Sequence, residues 1–489
     1  MGIQLAETRD EILQPYKELR SGRRYTPALW RLSLMTGDGI LLFAVFAGVL
    51  ILLSYLHVDL KVSRITLGVW NTKLVWGVMG LVSWSIAARI TRAYESLNAA
   101  DRFRSLLNAL FALTLALIFW VVPTALFLNE DIGTYVKVVF LFFIIAIPVL
   151  SAWRLLFAEI QNLPRFRRKA VIFGTTAAGR AIVKELRRSK HPYASILGYI
   201  SENTDAQLQE DGVPLLGGRS TLRSLVRSGE ADMIITAVDY DVYPELFREV
   251  IEMAQLGVSV VPMTVAYESA GGKIPVEYIG DQWYLALPLK VAVSPFYLCW
   301  RKVIDLIFGL IGTAALLLIL PCLALLIYLD SPGPVFYRQE RLGLRGRPFR
   351  IYKFRSMRTD AEQAGQAIWA SEHDPRVTRI GRFMRAIHLD ELPQVLNILR
   401  GDMSLLGPRP EREEFTITLE KTIPFYRCRL MVKPGLTGWA QVKYRYGSSD
   451  DDALIKLQYD LYYIKHQSFT LDIFVMLKTL VEVLLHRGT

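Results

Sequence analysis

"VIDLIFGLIGTAALLLILPCLALLIYL" occupies residues 303–329. The run exceeds the roughly 20 apolar residues that a bilayer-crossing helix needs. Its flanks oppose a simple crossing. Arg301 and Lys302 precede it, and Arg338, Arg341, Arg345, Arg347, Arg350, Lys353, Arg355 and Arg358 follow, so both ends carry the charge bias of a cytoplasmic loop. A hairpin over 303–329 that enters and leaves by one membrane face satisfies both ends. Pro321 supplies its break, because proline lacks a backbone donor and clashes with the preceding turn. Arg301 and Asp305 stand four apart and can pair at the entrance. On charge alone, a fifth span with the C-terminal third outside remains the alternative.

Working outward, four more apolar runs cover about 38–57, 68–88, 105–128 and 135–158, each near spanning length. Arg20, Arg23, Arg24 and Arg31 precede the first, Arg89, Arg92, Arg102 and Arg104 separate the second and third, and Arg165, Arg167, Arg168 and Lys169 follow the fourth. These loops are expected on the cytoplasmic side. Glu130 and Asp131 suit an outside loop, although Lys61, Arg64 and Lys73 make the first outside loop less clean. The expectation is a cytoplasmic segment at 1–34 and a four-helix transmembrane domain at 35–160. Composition agrees, since 52% of the 489 residues are hydrophobic and the charge of +11 favours anionic surroundings. Cys299, Cys322 and Cys428 lack CxxC spacing, so neither zinc nor a disulfide framework is indicated. Residues 1–34 do not read as a cleavable signal peptide.

Between 165 and 292 the pattern changes to short strands alternating with amphipathic helical stretches, among them "KAVIFG", "AGRAIVKELRRS", "ADMIITAV" and "VSVVPM". That alternation predicts a parallel-sheet α/β domain, Rossmann-like and cytoplasmic. In "GTTAAG", Gly174 and Gly179 match the outer glycines of GxGxxG, but Thr176 replaces the glycine that lets backbone approach a pyrophosphate. Glu202 lies where a ribose-binding acid would be. A structural, dimerising or regulatory module is favoured over a bound dinucleotide.

"HLDELPQ" at 388–394 sets Asp390 beside Glu391, with Pro393 following. In isolation it reads as a helix cap. Its neighbours change the reading. "SPGPVFYRQ", "YKFRSM", "LDELPQ", "GDMSL", "GPRP", "PGLTGWAQV" and "YDLYYI" occur in the order of the bacterial sugar transferase family, the monotopic polyprenyl-phosphate hexose-1-phosphate (phosphoglycosyl) transferases. The resemblance runs from about Arg301 to His486. With the N-terminal half, the chain resembles the large subclass that initiates exopolysaccharide or O-antigen assembly.

The resemblance implies a membrane α-helical plus α/β protein: four transmembrane helices, a Rossmann-like domain and a monotopic, α-rich catalytic domain at 300–489. The catalytic domain would carry the re-entrant hairpin and an amphipathic helix at 470–486. The implied reaction moves hexose 1-phosphate from a UDP-hexose to undecaprenyl phosphate and releases UMP, with glucose ahead of galactose as the sugar. Asp390 is the implied nucleophile of a covalent aspartyl intermediate, and Glu391 is the second carboxylate. Both would hold Mg2+, or Mn2+, against the substrate phosphates, or Glu391 would instead position the incoming phosphate, two roles that the sequence does not separate. A helix dipole at Asp390 would keep its carboxylate ionised.

Arg385, Arg409 and Lys353 match phosphate-binding or active-site positions, and arginine's planar fork suits phosphate. Asp460, Tyr462 and Tyr463 match a family motif, with packing as the alternative. His388 carries no assigned role, and Leu320 stands before Pro321 where the family usually has serine. The implied partners are the UDP-sugar, undecaprenyl phosphate, membrane lipids and a second copy in a homodimer at the bacterial inner membrane, its soluble modules facing the cytoplasm. Nucleic acid is not expected, because the basic residues sit beside membrane segments. A nucleotide-sugar oxidoreductase and a non-catalytic scaffold of polysaccharide assembly are the competing readings; the first lacks a Tyr-x-x-x-Lys pair in the middle domain.

Overall fold

The apolar runs fold as helices in the computed structural model, which describes residues 27–55, 69–91, 93–94, 99, 101–127, 132–163, 166–189, 194–201, 212–237, 244–279, 295–359, 361, 374–444 and 449–484. Glu202, His486 and the N-terminal Arg20, Arg23 and Arg24 lie outside them. Two compact units divide at Gly271/Gly272.

In the first unit the helices are α1 (Pro27–Tyr55), α2 (Val69–Ile90), α3 (Arg102–Phe127) and α4 (Ile132–Asn162). Helices long and apolar enough to cross a membrane number four among the described residues: Leu29–Tyr55, Arg102–Val121, Lys137–Asn162 and, in the second unit, Tyr297–Asp330. The second expected span contributes a shorter apolar helix, Gly77–Ile90. Phe46, Trp120 and Phe142 meet edge-on at the centre of the bundle, with centroids 5.6, 6.4 and 5.5 Å apart. One pairing was not anticipated. Arg154 on α4 and Asp38 on α1 form a fully buried ion pair, and Arg154 also donates to the Ala93 carbonyl at 2.9 Å. Ionisable groups inside such a bundle persist only when partnered, which is why the two occur together.

After the helices, β1 (Arg168–Phe173), α5 (Ala177–Arg188), β2 (Ala194–Ile200), β3 (Leu215–Gly217), α6 (Arg219–Arg227), β4 (Met233–Thr236), α7 (Pro244–Gln255), β5 (Ser259–Pro262) and α8 (Met263–Gly271) build a parallel sheet of order 3-2-1-4-5. Ala170 and Ile172 of β1 enter one core while Val171 and Phe173 enter another, so the strand is buried on both faces and reads as an unbroken apolar run. Thr176 caps α5 by accepting from the Gly179 amide at 3.3 Å and donates to the Ala237 carbonyl at 2.6 Å. That cap uses a first-turn amide that a pyrophosphate would otherwise take. Gly179 is needed for packing, since a Cβ there would stand 2.7 Å from the Gly174 carbonyl oxygen.

The second unit begins before the expected boundary at 292. Trp439 donates to the Gly272 carbonyl at 2.7 Å, the Ile274 amide to the Gln458 carbonyl at 3.0 Å, and Gln458 to Glu277 at 3.2 Å. Its elements are α9 (Pro295–Asp330), β6 (Phe336–Leu342), β7 (Pro348–Phe354), α10 (Arg379–Ala386), α11 (Val395–Arg400), β8 (Ser404–Leu406), α12 (Glu413–Thr422), β9 (Gly435–Thr437), α13 (Trp439–Lys443), α14 (Asp450–Lys465) and α15 (Phe469–Leu484).

Helix α9 corrects two expectations. It stays helical through Pro321 instead of opening into a hairpin turn there. Leu316 before the proline and Leu323 and Ile327 after it share a core with Phe354, Met384 and Val395, so packing holds the helix on both sides of the missing hydrogen bond. Nor do Arg301 and Asp305 pair with each other. Arg301 donates to Ser404 Oγ at 2.7 Å and to the Leu406 carbonyl at 2.5 Å, while Asp305 accepts from Ser404 Oγ at 2.9 Å and the Leu405 amide at 2.8 Å. The far end is also tied down, since Asp330 accepts from the Ile380 amide at 2.8 Å. Between the ends, Gly309 and Gly312 admit Leu399 and Val395 of α11, which would stand 2.5 and 2.6 Å from added Cβ atoms. Helix α15 covers most of the expected amphipathic helix: Leu471, Phe474 and Val475 are buried, and Leu477, Leu480, Val481 and Val483 are exposed.

Candidate active site

Lys353 lies on β7 of the antiparallel β6–β7 hairpin. Fully buried Asn397 of α11 accepts from the Tyr352 amide at 3.1 Å and donates to the Arg350 carbonyl at 2.8 Å, bonding the free edge of β7 as a neighbouring strand would. This clamp brings Lys353 beside the turn that carries the two carboxylates. That turn is a 3-10 helix, Leu389–Gln394, entered through His388 in the left-handed conformation (φ 56°) and leading into α11. Asp390 is therefore not a helix cap. Successive side chains of a 3-10 turn project about 120° apart, so adjacent carboxylates face different partners.

Glu391 faces cations. Its Oε1 accepts from Lys353 Nζ at 2.7 Å and Arg409 Nη2 at 2.6 Å, with Arg409 Nη1 at 3.4 Å from Oε2. Burial pushes its pKa up, but Arg409 and Lys353 together outweigh that and hold it well below the usual carboxylate range. Asp390 is also buried, yet its carboxylate makes no hydrogen bond among the described residues. Its pKa is raised, chiefly by burial and further by Glu391, against the opposing charges of Lys353, Arg385 and Arg409. A short 3-10 turn offers little dipole to oppose that burial. The arrangement separates one carboxylate fixed as a counter-ion from one left available beside three cations.

All the basic residues expected at the site converge on it. Arg385 donates from Nε to Ser356 Oγ at 3.0 Å, and Arg409 is supported from behind by Arg429. Arg429 is buried and donates to the Arg409 carbonyl at 3.1 Å, to Tyr426 at 2.8 Å and to Asp460 at 2.9 Å. Burial pushes the Asp460 pKa up to about 6 despite Arg429. Asp460 thus acts through Arg429 and Arg409. Pro321 belongs to α9 and contributes no group here.

Sequence reasoning missed Ser356, Asn397 and Arg429. The first two fall in or beside the quoted motifs, but their bonds to Arg385 and β7 have no spacing signature. Arg429 has no motif around it. Arg429→Met is expected to lower unfolding stability by about 3 kcal/mol, because Asp460 is left charged and unpaired. Adding Asp460→Leu should recover most of that in chemical denaturation, while a roughly tenfold loss of catalytic efficiency persists because Arg409 still lacks its support.

As metal ligands the carboxylates differ. Mg2+ demands about six oxygens in octahedral array, and Glu391 already serves two cations. No cluster of three or more His, Cys, Asp or Glu gathers among the described residues. Of the two carboxylates, Asp390 is the one whose oxygens are open to a cation among the described residues, and substrate phosphates and water could complete such a shell.

Residues 296–486 match a family model described as bacterial sugar transferase, and residues 89–263 match one described as a CoA-binding domain. A UDP-N-acetylgalactosamine-undecaprenyl-phosphate N-acetylgalactosaminephosphotransferase of Aeromonas hydrophila is 42% identical over 218 residues, 44% of this chain and 50% of that protein. The chain thus spans about half the length of that relative. A UDP-glucose:undecaprenyl-phosphate glucose-1-phosphate transferase of Caulobacter vibrioides is 42% identical over 188 residues, 38% of this chain and 69% of that protein. A protein of the same description from Escherichia coli is 28% identical over 442 residues, 88% of this chain and 89% of its own.

Proposed function

Because the chain belongs to the bacterial sugar transferase family, we propose that it transfers hexose 1-phosphate from a UDP-hexose to undecaprenyl phosphate in polysaccharide synthesis. The observation that carries the proposal is the Asp390 carboxylate, without a hydrogen bond among the described residues and set among Lys353, Arg385 and Arg409. An Asp390 oxygen attacks the sugar-bearing phosphorus, the bond from that phosphorus to the bridging oxygen breaks, and UMP leaves with the electron pair. A phosphate oxygen of undecaprenyl phosphate then attacks the same phosphorus and releases Asp390, giving the lipid diphosphosugar. Arg385 and Arg409 bind the phosphoryl oxygens, and Glu391 keeps Arg409 and Lys353 in place. Mg2+ entering with the donor would neutralise diphosphate charge beside Asp390.

The re-entrant reading of α9 is supported by its ends. Arg301 and Asp305 near one end bond to β8, and Asp330 at the other bonds to α10, all within one compact unit rich in exposed arginines. With both ends bonded to one polar unit, neither end is left on the far side of a bilayer, which favours a bent helix dipping into one face over a full crossing. We place that side, and the Rossmann-like sheet, in the cytoplasm on the positive flanks of the spans.

Purified protein given Mg2+ and one UDP-sugar at a time, without lipid acceptor, should release about one UMP per active site and gain a hexose phosphate in mass. Glucose is proposed ahead of galactose, and the relatives' names add N-acetylgalactosamine to the donors tested. Turnover that begins only with undecaprenyl phosphate would replace the covalent step with direct transfer, and none even then would end the transferase reading.

The pH dependence follows from Asp390. It attacks only when ionised, and its raised pKa keeps the proton on to higher pH. The acid limb of kcat/KM should therefore lie above the ordinary 3.8, rate rising with pH through it. The limb should persist in Asp460→Asn, since Asp460 bonds to Arg429 and, among the described residues, not to Asp390. A limb at or below 3.8 would refute the buried environment assigned to Asp390.

A further inference from the structure

Side chains alternate along a strand, so β7 presents Lys353 to the active site and Tyr352 to the opposite face. On that face Arg338 stands directly across from Tyr352 in register, its guanidinium carbon 5.3 Å from the ring centre. Arg400, at the end of α11, places its own at 5.0 Å and donates from Nη1 to the Tyr352 hydroxyl at 2.6 Å. The phenol accepts this bond and keeps its own proton for another acceptor. Both arginines are exposed, and neither has a carboxylate partner among the described residues. Of the nearby acids, Asp402 lies 3.5 Å from Asn397, and Glu340, two residues from Arg338 on the same face of β6, stands across from Arg350. Two like charges thus stand within about 10 Å of each other around one ring, neither of them ion-paired to a carboxylate among the described residues.

Their position says which anion they meet. Leu399, next to Arg400, lies against α9 at Gly309, where the exposed apolar surface of α9 includes Leu306 and Leu310. Arg400 therefore sits where the bilayer-length helix meets the polar unit. Guanidinium forks and a phenol donor suit phosphate oxygens, and a membrane surface supplies these. We propose that Arg338, Tyr352 and Arg400 seat the phosphate of an anionic bilayer lipid. Strand β7 separates this seat from Asp390, so the bound lipid is not the reacting acceptor; it orients the catalytic unit against the membrane.

Full-length protein in detergent would be equilibrated with phosphatidylglycerol and its retained lipids counted by native mass spectrometry. Wild type should hold one lipid that Arg338→Gln/Arg400→Gln holds about tenfold or more weakly, whereas Arg338→Lys/Arg400→Lys stays within a few-fold of wild type. Tyr352→Phe keeps the ring, loses the donor and should weaken retention about threefold. Transfer activity of the glutamine variant in phosphatidylcholine-only nanodiscs should match wild type, which also shows that it folds. Equal retention by wild type and the glutamine variant would overturn the proposal. So would selective loss of undecaprenyl phosphate instead, marking an acceptor site, or displacement of the lipid by millimolar inorganic phosphate, marking a general anion site.

Discussion

Asp390→Asn should abolish the UMP burst and the hexose phosphate adduct together, with turnover falling by about four orders of magnitude or more, as expected when a nucleophile is removed. The amide keeps the shape of the side chain, so binding of the UDP-sugar should change little. Stability should not fall. Burial raises the Asp390 pKa, so its ionised form is disfavoured in the folded chain, and a neutral amide removes that cost at neutral pH. The measurements are a rapid-quench UMP assay, intact mass and a thermal melt on the same preparation. A variant that forms the adduct at the wild-type rate would displace Asp390 as the nucleophile.

Glu391→Gln should fail differently. It leaves Lys353 and Arg409 facing each other across an uncharged amide, where one carboxylate oxygen now accepts from both. Because Lys353 and Arg409 are partly exposed, solvent screens some of the loss, and a stability decrease of about 2 kcal/mol is expected. Catalytic efficiency should drop by roughly two to three orders of magnitude, through displaced phosphate-binding cations. The adduct should still form, slowly, in a prolonged incubation with donor. Complete absence of adduct with normal stability would give Glu391 a direct part in the chemistry. Taken together, the two variants separate attack from positioning.

How much of this was readable beforehand varies by kind of interaction. Hydrophobic length marked the apolar helices, and the alternation of strands and helices marked the parallel sheet, because both patterns repeat within one element. Motif order brought Asp390, Glu391, Lys353, Arg385 and Arg409 forward, and all five do converge. Local rules failed where an interaction was set by something distant. Proline alone predicts a break at 321, but side chains from β7, α10 and α11 hold α9 through it. Spacing alone pairs Arg301 with Asp305, but Ser404 stands between them as a shared partner.

What the sequence determined by itself, then, is the inventory: which segments are apolar enough for a membrane, which alternate into a sheet, and which charged residues belong near phosphate. Tertiary structure alone decided their division of labour. Asp390 and Glu391 are neighbours with nearly the same chemistry, and nothing within "HLDELPQ" says which is bonded and which is available. The choice comes from Lys353 on a strand clamped by Asn397 and from Arg409 held by buried Arg429. These contacts join residues far apart in the chain, and a charge's burial and partners, more than its residue type, set its proton affinity and its role.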